Sequence, residues 1–141
     1  MHLWGTPGRV DAAADAAIRD VVSVYCRFMD NFDDAAVLEL FTPEGQWLRH
    51  GEPPLRGRAE IAAWLGGRNR GVKGRHVASN ILIDMQGPER ALVTSYFMVV
   101  KAGPDGAPVP LSMGEYHDIF QLDQGRWRIA QRQTQRVFRA G

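Results

Sequence analysis

The spacing of apolar residues changes about halfway along the chain. In residues 11–31 they recur at steps of three and four, the period of a helix with one buried face. This stripe consists of Ile18, Val21, Val22, Tyr25, Phe28, Met29 and Phe32. A second, short helix is predicted from a cap at Asp33 through Phe41, and residues 42–45, with Pro43 and Gly45, are predicted to end it. A third helix is predicted over residues 58–65, ended by two glycines.

From residue 75 onward the chain is rich in β-branched and aromatic residues. Four long strands are predicted over residues 75–85, 90–101, 109–123 and 126–138, with turn sequences between them, and a short strand over residues 46–50 precedes the third helix. Helices first and strands afterwards indicate an α+β fold. We expect a curved antiparallel β-sheet wrapped around the long N-terminal helix, with three helices on the concave face and a cone-shaped cavity between them. Residues 1–10 are predicted to be a flexible leader, and residues 11–141 a single domain.

The composition of the chain limits the kinds of molecule that it is expected to bind. The chain has 141 residues, 45% of them hydrophobic, and a net charge of +1, so nothing favours nucleic acid or an anionic membrane. Five arginines alternate along the last strand and are predicted to form a solvated or salt-bridged face: Arg126, Arg128, Arg132, Arg136 and Arg139. No apolar run reaches the length of a membrane span, and no signal-peptide pattern is present, so a cytoplasmic location is expected. The single cysteine, Cys26, excludes an intrachain disulfide and is expected to pack in the core.

Two residues with complementary chemistry stand at the ends of predicted elements. Asp30 lies at the end of the first helix, and His76 opens the first long strand. A carboxylate facing an imidazole is the minimal general base, because the carboxylate fixes the ring tautomer and stabilises the imidazolium. Strand alternation places His76 on one face with Ala78 and Asn80, opposite an apolar face that contains Val77.

Further polar candidates follow from the same alternation. On the third long strand, Gly114, Tyr116, Asp118 and Phe120 share one face, which is predicted to face inward, while Glu115 and His117 share the other. Asp118 is then a candidate acid or polar anchor. Tyr25 could donate to a substrate oxygen or pack in the core, and Asn80 could bind a substrate carbonyl or a backbone group.

The sequence predicts neither a metal nor a cofactor. The four histidines show no paired spacing of the kind that metal sites use, and they have no cysteine partners. Neither a phosphate-binding loop nor a dinucleotide fingerprint occurs, since the pair Gly66 and Gly67 follows a helix and does not precede one.

Six short motifs in order resemble the SnoaL-like branch of the nuclear-transport-factor-2-like (NTF2-like) superfamily, over residues 11–138. They are residues 28–30, 40–47, 55–57, 75–80, 114–118 and 125–129. The resemblance implies the cone fold and a homodimer. It also implies that Asp30 and His76 match the catalytic dyad of scytalone dehydratase and bile-acid dehydratase, and that Phe28, Trp47 and Arg49 contribute to the substrate pocket. The substrate-binding tyrosine and second histidine of scytalone dehydratase have no counterpart, as Arg49 or His50 and Lys101 occupy those positions.

These observations lead to one hypothesis and two alternatives. The hypothesis is a small cofactor-independent enzyme, a dehydratase-type lyase or an isomerase, in which His76 and Asp30 abstract a proton from a small hydrophobic cyclic substrate. The main alternative is a non-catalytic small-molecule-binding or dimerisation domain with the same fold, because one fold hosts many functions. A third possibility is the β subunit of an oxygenase, which predicts a stable complex with a larger iron-bearing chain.

Overall fold

The structure, a computed structural model, describes residues 11–139, so the predicted leader lies outside the described residues. The helices are α1 (Ala12–Asp30), α2 (Asp34–Glu39) and α3 (Gly57–Gly66). The strands are β1 (Phe41–Arg49), β2 (Leu55–Arg56), β3 (Gly74–Met85), β4 (Arg90–Ala102), β5 (Pro108–Asp123) and β6 (Arg126–Arg139). The predicted α+β order of elements is confirmed. None of the described helices is long and apolar enough to cross a membrane.

The long helix α1 has the buried face that its apolar spacing predicts. Its N-cap, Asp11, accepts a hydrogen bond from the backbone N–H of Ala14 at 3.0 Å. Its inward stripe is fully buried: Ile18, Val22, Tyr25 and Met29. The helix ends at Asp30, whose side chain therefore projects beside the core and not into solvent.

The region after α2 differs from the prediction. Asp33 caps α2 as expected, accepting from Ala36 N–H at 3.2 Å, but the helix ends at Glu39. Residues 42–45 do not form a stop; they are the first part of β1, which begins at Phe41. The pairing of β1 with β6 is irregular between Phe41 and Gln46, and this irregularity accommodates Pro43, which cannot donate a ladder hydrogen bond.

The six strands form one open curved sheet in the order β2-β1-β6-β5-β4-β3. The four long strands pair antiparallel, as predicted, whereas β1 and β6 pair in parallel. The parallel pair arises because β6, the last strand of the chain, lies between β5 and the early strand β1. Helix α1 packs across the concave side of the sheet against β3 and β6.

A bulge in β3 changes which residues face the core. Its pairing with β4 shifts by one residue between Ser79 and Leu82, and Asn80 adopts a positive φ of 52° there. Before the bulge the even-numbered residues His76 and Ala78 face inward, and Val77 is 47% exposed. After it, the odd-numbered residues face inward. The prediction that Val77 lies on the apolar face of this strand is therefore wrong.

The inward face of β5 is the one that alternation predicts. Gly114, Tyr116, Asp118 and Phe120 are all buried, whereas Glu115 and His117 are only partly covered on the other face. This register brings Tyr116 under α1, with its ring centroid 6.0 Å from that of Tyr25. The concave side of β5 thus supplies the floor of the cone.

Candidate active site

The structure brings Asp30 and His76 into direct contact. The imidazole Nδ1 lies 2.7 Å from Asp30 Oδ1, and the same oxygen accepts the backbone N–H of His76 at 2.9 Å. The Asp30 side chain is 9% exposed and that of His76 18% exposed. Two hydrogen bonds from one residue to one carboxylate oxygen fix both the position of the strand and the orientation of the ring.

Burial controls the charge of this imidazole. It lowers the pKa of His76 below its usual 6.5, while the hydrogen bond and the charge of Asp30 partly oppose that shift. At neutral pH the ring is therefore uncharged. Since Asp30 can only accept, the proton of the neutral ring resides on Nδ1, and Nε2 carries the free lone pair. This is the protonation state that a general base requires.

His76 borders a cavity of about 230 Å³. The cavity is lined by Tyr25, Met29, Trp47, Arg49, Glu52, Trp64, Arg68, His76, Phe97, Val99, Leu111, Ser112, Tyr116, Thr134, Arg136 and Arg139. A second recess is lined by both His76 and Asp30. His76 therefore lines both recesses, whereas Asp30 lines only the second.

Two tyrosines form the wall beside His76. The Tyr25 ring meets the imidazole edge-on at 6.5 Å, and the Tyr116 ring stacks on Phe97 at 4.5 Å. Burial raises the pKa of both phenols, that of Tyr116 well above its usual value, so both keep their proton at neutral pH. The Tyr25 hydroxyl has no hydrogen-bond partner among residues 11–139. A buried hydroxyl without an acceptor costs free energy, so Tyr25 is a candidate to donate to a ligand oxygen.

The opposite wall is built on two tryptophans. The Trp47 and Trp64 rings meet edge-to-face at 4.8 Å, and the indole N–H of Trp47 donates to Thr134 Oγ1 at 2.9 Å. The guanidinium of Arg49 lies over Trp64, 5.3 Å from its ring centroid. Trp47 and Arg49 therefore lie in the cavity wall, as the resemblance implies.

Three of the predicted substrate contacts need correction. Asn80 is exposed in the β3 bulge and does not line the cavity, since the extra residue turns it away from the face of His76. Phe28 lies on the flank of α1 and packs against the core outside the cavity lining. Asp118 is fully buried behind the wall, where both carboxylate oxygens accept from Arg132 at 2.9 and 2.8 Å. It holds Arg132 and does not reach the cavity.

Arg132 is the largest surprise of the site. The alternating arginines of β6 were predicted to form a solvated or salt-bridged face; Arg132 is indeed salt-bridged, to Asp118, but it is completely buried. Its guanidinium carbon lies 4.2 Å from the Tyr25 ring centroid and 3.8 Å from that of Tyr116, so it supports both tyrosines from behind. A signal was present in the sequence: Asp118 on the inward face of β5 needs a buried cationic partner, and Arg132 is its cross-strand neighbour.

Sequence reasoning also missed Arg68, Trp64 and Glu52. Arg68 follows α3 and donates to the Met29 carbonyl at 3.0 Å and to Asp34 at 2.8 Å. These bonds anchor the end of α1 beside the dyad. Trp64 lies on α3 and lines the cavity, and no local sequence pattern shows that this side of the helix faces a cavity. Within residues 11–139, no cluster of three or more metal-ligating side chains occurs.

The depressed pKa of His76 predicts a specific pH dependence of stability. As the pH falls, the unfolded chain takes up the proton first, near pH 6.5, because folding disfavours the charged ring. The contribution of a neutral His76 is thus complete above about pH 6.5 and is lost as the pH falls through the folded-state pKa. An NMR titration of the imidazole, assigned by the signal missing in His76→Gln, should give a midpoint below 6.5. A midpoint above 6.5 would contradict the buried neutral ring.

The open sheet wrapped around α1 defines a protein of the NTF2-like cone fold. Residues 10–133 match the SnoaL-like domain family, and the chain belongs to that family. No curated protein sequence matches the chain.

Solved structures with the same fold support this assignment. A protein of unknown function from Mycobacterium tuberculosis is 27% identical, with a TM-score of 0.82, over 88% of this chain and 72% of that one. A putative scytalone dehydratase from Novosphingobium aromaticivorans is 20% identical, with a TM-score of 0.80, over 91% and 87%. A protein from Catenulispora acidiphila in complex with S-DNPA is 22% identical, with a TM-score of 0.79, over 89% and 94%. The latter two identities establish a shared fold only.

Proposed function

We propose that this protein is a cofactor-independent enzyme in which His76 is the general base and Asp30 orients it. The observation that carries the proposal is the 2.7 Å contact between Asp30 Oδ1 and His76 Nδ1, made by an imidazole that borders the cavity. The reaction is a dehydration or an isomerisation of a small hydrophobic cyclic molecule. The names of two solved neighbours, a putative scytalone dehydratase and a complex with S-DNPA, support this reaction class and a small-molecule ligand.

The proposed chemistry uses only groups of this chain. Nε2 of His76 takes a proton from a carbon next to a carbonyl, and Asp30 stabilises the imidazolium that forms. The Tyr25 hydroxyl, with Tyr116 beside it, donates to the substrate oxygen as negative charge develops there. In a dehydration the imidazolium returns the proton to the departing hydroxyl, which leaves as water. In an isomerisation it returns the proton to a different carbon of the substrate.

Proton exchange tests this reaction class before the substrate is known. Cyclic ketones of one or two rings would be incubated with the protein in D₂O, and loss of the α-proton signal would be followed by ¹H NMR. We expect wild type to accelerate exchange for at least one ketone, and His76→Gln to leave exchange at the buffer rate. His117→Gln is the matched control, since His117 lies on the outer face and is 41% exposed.

One observation favours the non-catalytic alternative. Asp30 Oδ1 also accepts the backbone N–H of His76, a bond that would tie α1 to β3 in a pure binding domain. If wild type binds cyclic ketones but exchanges none of them faster than buffer, the base is inactive and the binding alternative holds.

We also propose that the chain forms a homodimer through the outer face of its sheet. An exposed apolar patch crosses β3 to β6 there, made by Val77, Tyr96, Met113, Val137 and Phe138. Light scattering after size exclusion should give twice the 15.7 kDa of one chain. Val137→Lys should shift the mass toward one chain, while Val72→Lys, a similar change in the loop before β3, should not. A monomeric wild type at high concentration would disprove the dimer.

A further inference from the structure

Positive charge is concentrated at one part of the cavity wall. Three arginines, from the end of β1 and the end of β6, converge on a single carboxylate. Arg49 Nη1 lies 2.7 Å from Glu52 Oε2, and Arg139 Nη1 and Arg136 Nη2 lie 3.3 and 3.7 Å from Glu52 Oε1. Three guanidinium groups thus face one carboxylate, and the charges do not balance locally. The other arginine of the lining, Arg68, pairs with Asp34, a carboxylate that it shares with Arg70.

Arg49 also has a buried N–H donor that lacks a hydrogen-bond acceptor within residues 11–139. Its side chain is only 9% exposed, and its two terminal nitrogens are bound, Nη1 to Glu52 and Nη2 to the carbonyl of Pro53 at 3.0 Å. Its Nε is buried and has no hydrogen-bond partner among the described residues. The guanidinium lies over the Trp64 ring, and both residues line the cavity. Buried donors without acceptors are rare in proteins, and a bound anion would supply one.

We propose that the cavity binds a small cyclic carboxylic acid, with its carboxylate at Arg49, Arg136 and Arg139. The proposal rests on the proposed function and names its substrate class. The ring would lie between Trp47 and Tyr116, which places its carbon skeleton next to His76 in the same cavity. The cavity of about 230 Å³ is smaller than most ligand sites, which limits the ligand to one or two rings. A planar carboxylate suits guanidinium groups because both can align in one plane.

Paired probes of equal shape separate charge from hydrophobicity. The binding of 2-naphthoate and of 2-naphthamide would be measured by isothermal titration calorimetry. We expect wild type to bind the acid about tenfold more tightly than the amide, because charge-assisted hydrogen bonds are the stronger ones. Arg136→Gln and the more exposed Arg139→Gln should each lower this preference. Arg126→Gln removes the same charge from an exposed position at the opposite end of β6 and should preserve it.

Each outcome bears on the proposal. Equal affinity for acid and amide, binding of neither, or an equal loss in Arg126→Gln would overturn it. His76→Gln distinguishes it from the proposed catalysis: we expect that variant to keep the preference for 2-naphthoate over 2-naphthamide while it loses proton exchange. Loss of acid preference with intact exchange would remove the carboxylate site and leave the general base.

Discussion

Replacement of His76 by glutamine is expected to reduce turnover by about 10²- to 10⁴-fold, the contribution typical of a general base. Glutamine keeps a polar side chain at the cavity wall and can still donate to Asp30, but its amide cannot accept a proton at neutral pH. The measurement is kcat on whichever cyclic ketone wild type exchanges or dehydrates. His117→Gln, on the outer face, should retain wild-type kcat.

Asp30→Asn separates orientation from proton transfer. Asparagine can still accept from the backbone N–H of His76, so the fold should persist. The loss of negative charge removes both the stabilisation of the imidazolium and the interaction that raises the pKa of His76. We therefore expect a fall in kcat together with a shift of the acidic limb of the pH–rate profile to lower pH. Asp20→Asn, an exposed change on the same helix, should alter neither quantity.

A structural role for the pair would give a different pattern. If the contact only tied α1 to β3, both variants would lower the free energy of unfolding, and the activity of the folded fraction would stay at the wild-type level. Wild-type turnover in either folded variant would rule out the dyad. Urea unfolding of each variant, measured in parallel with kcat, therefore decides between the two roles.

The sequence predicted the elements of this fold better than their faces. Helix α1 and the four long strands follow from periodicity, and the inward face of β5 follows from strict alternation between Gly114 and Phe120. In β3 the same argument failed, because a single extra residue at Asn80 exchanges the two faces of a strand. The bulge interrupts the pairing with β4, and the one local sign of it is Asn80, a residue type that tolerates the positive φ found there.

In the site, too, the sequence predicted the residues better than their surroundings. The resemblance to a family predicted that Asp30 and His76 form a pair. Their contact depends on how α1 packs on β3, which no local sequence pattern encodes. The arginines of β6 share one pattern in the sequence but lie in three different environments. Arg132 is buried with Asp118, Arg136 lines the cavity, and Arg126 is exposed. Charge alone predicts exposure, so the buried member could be found only from its partner on β5.

The second prediction with a large expected effect concerns the buried ion pair of Asp118 and Arg132. Asp118→Asn is expected to lower the free energy of unfolding by about 3–5 kcal/mol, because it leaves the charge of Arg132 uncompensated in the core. Both side chains are fully buried, and in the wild-type protein, against the lowering effect of burial, the charge and hydrogen bonds of Asp118 raise the pKa of Arg132. The variant lacks this support, but a guanidinium stays protonated at neutral pH, so its charge remains in the core without a partner. Such a loss of stability is a large share of the 5–15 kcal/mol typical of whole domains. Urea unfolding monitored by circular dichroism measures it.

The exposed pair of Arg19 and Asp15 is the matched control. Their separation of 2.7 Å is similar, but the side chains are 46% and 36% exposed, so Asp15→Asn should cost less than about 1 kcal/mol. The double variant Arg132→Met with Asp118→Leu should regain most of the stability that Asp118→Asn loses, because it removes both charges from the core. If Asp118→Asn costs no more than Asp15→Asn, burial is not what gives this pair its importance. If the double variant regains stability but binds ligands poorly, the role of Arg132 is to hold Tyr25 and Tyr116 at the cavity wall.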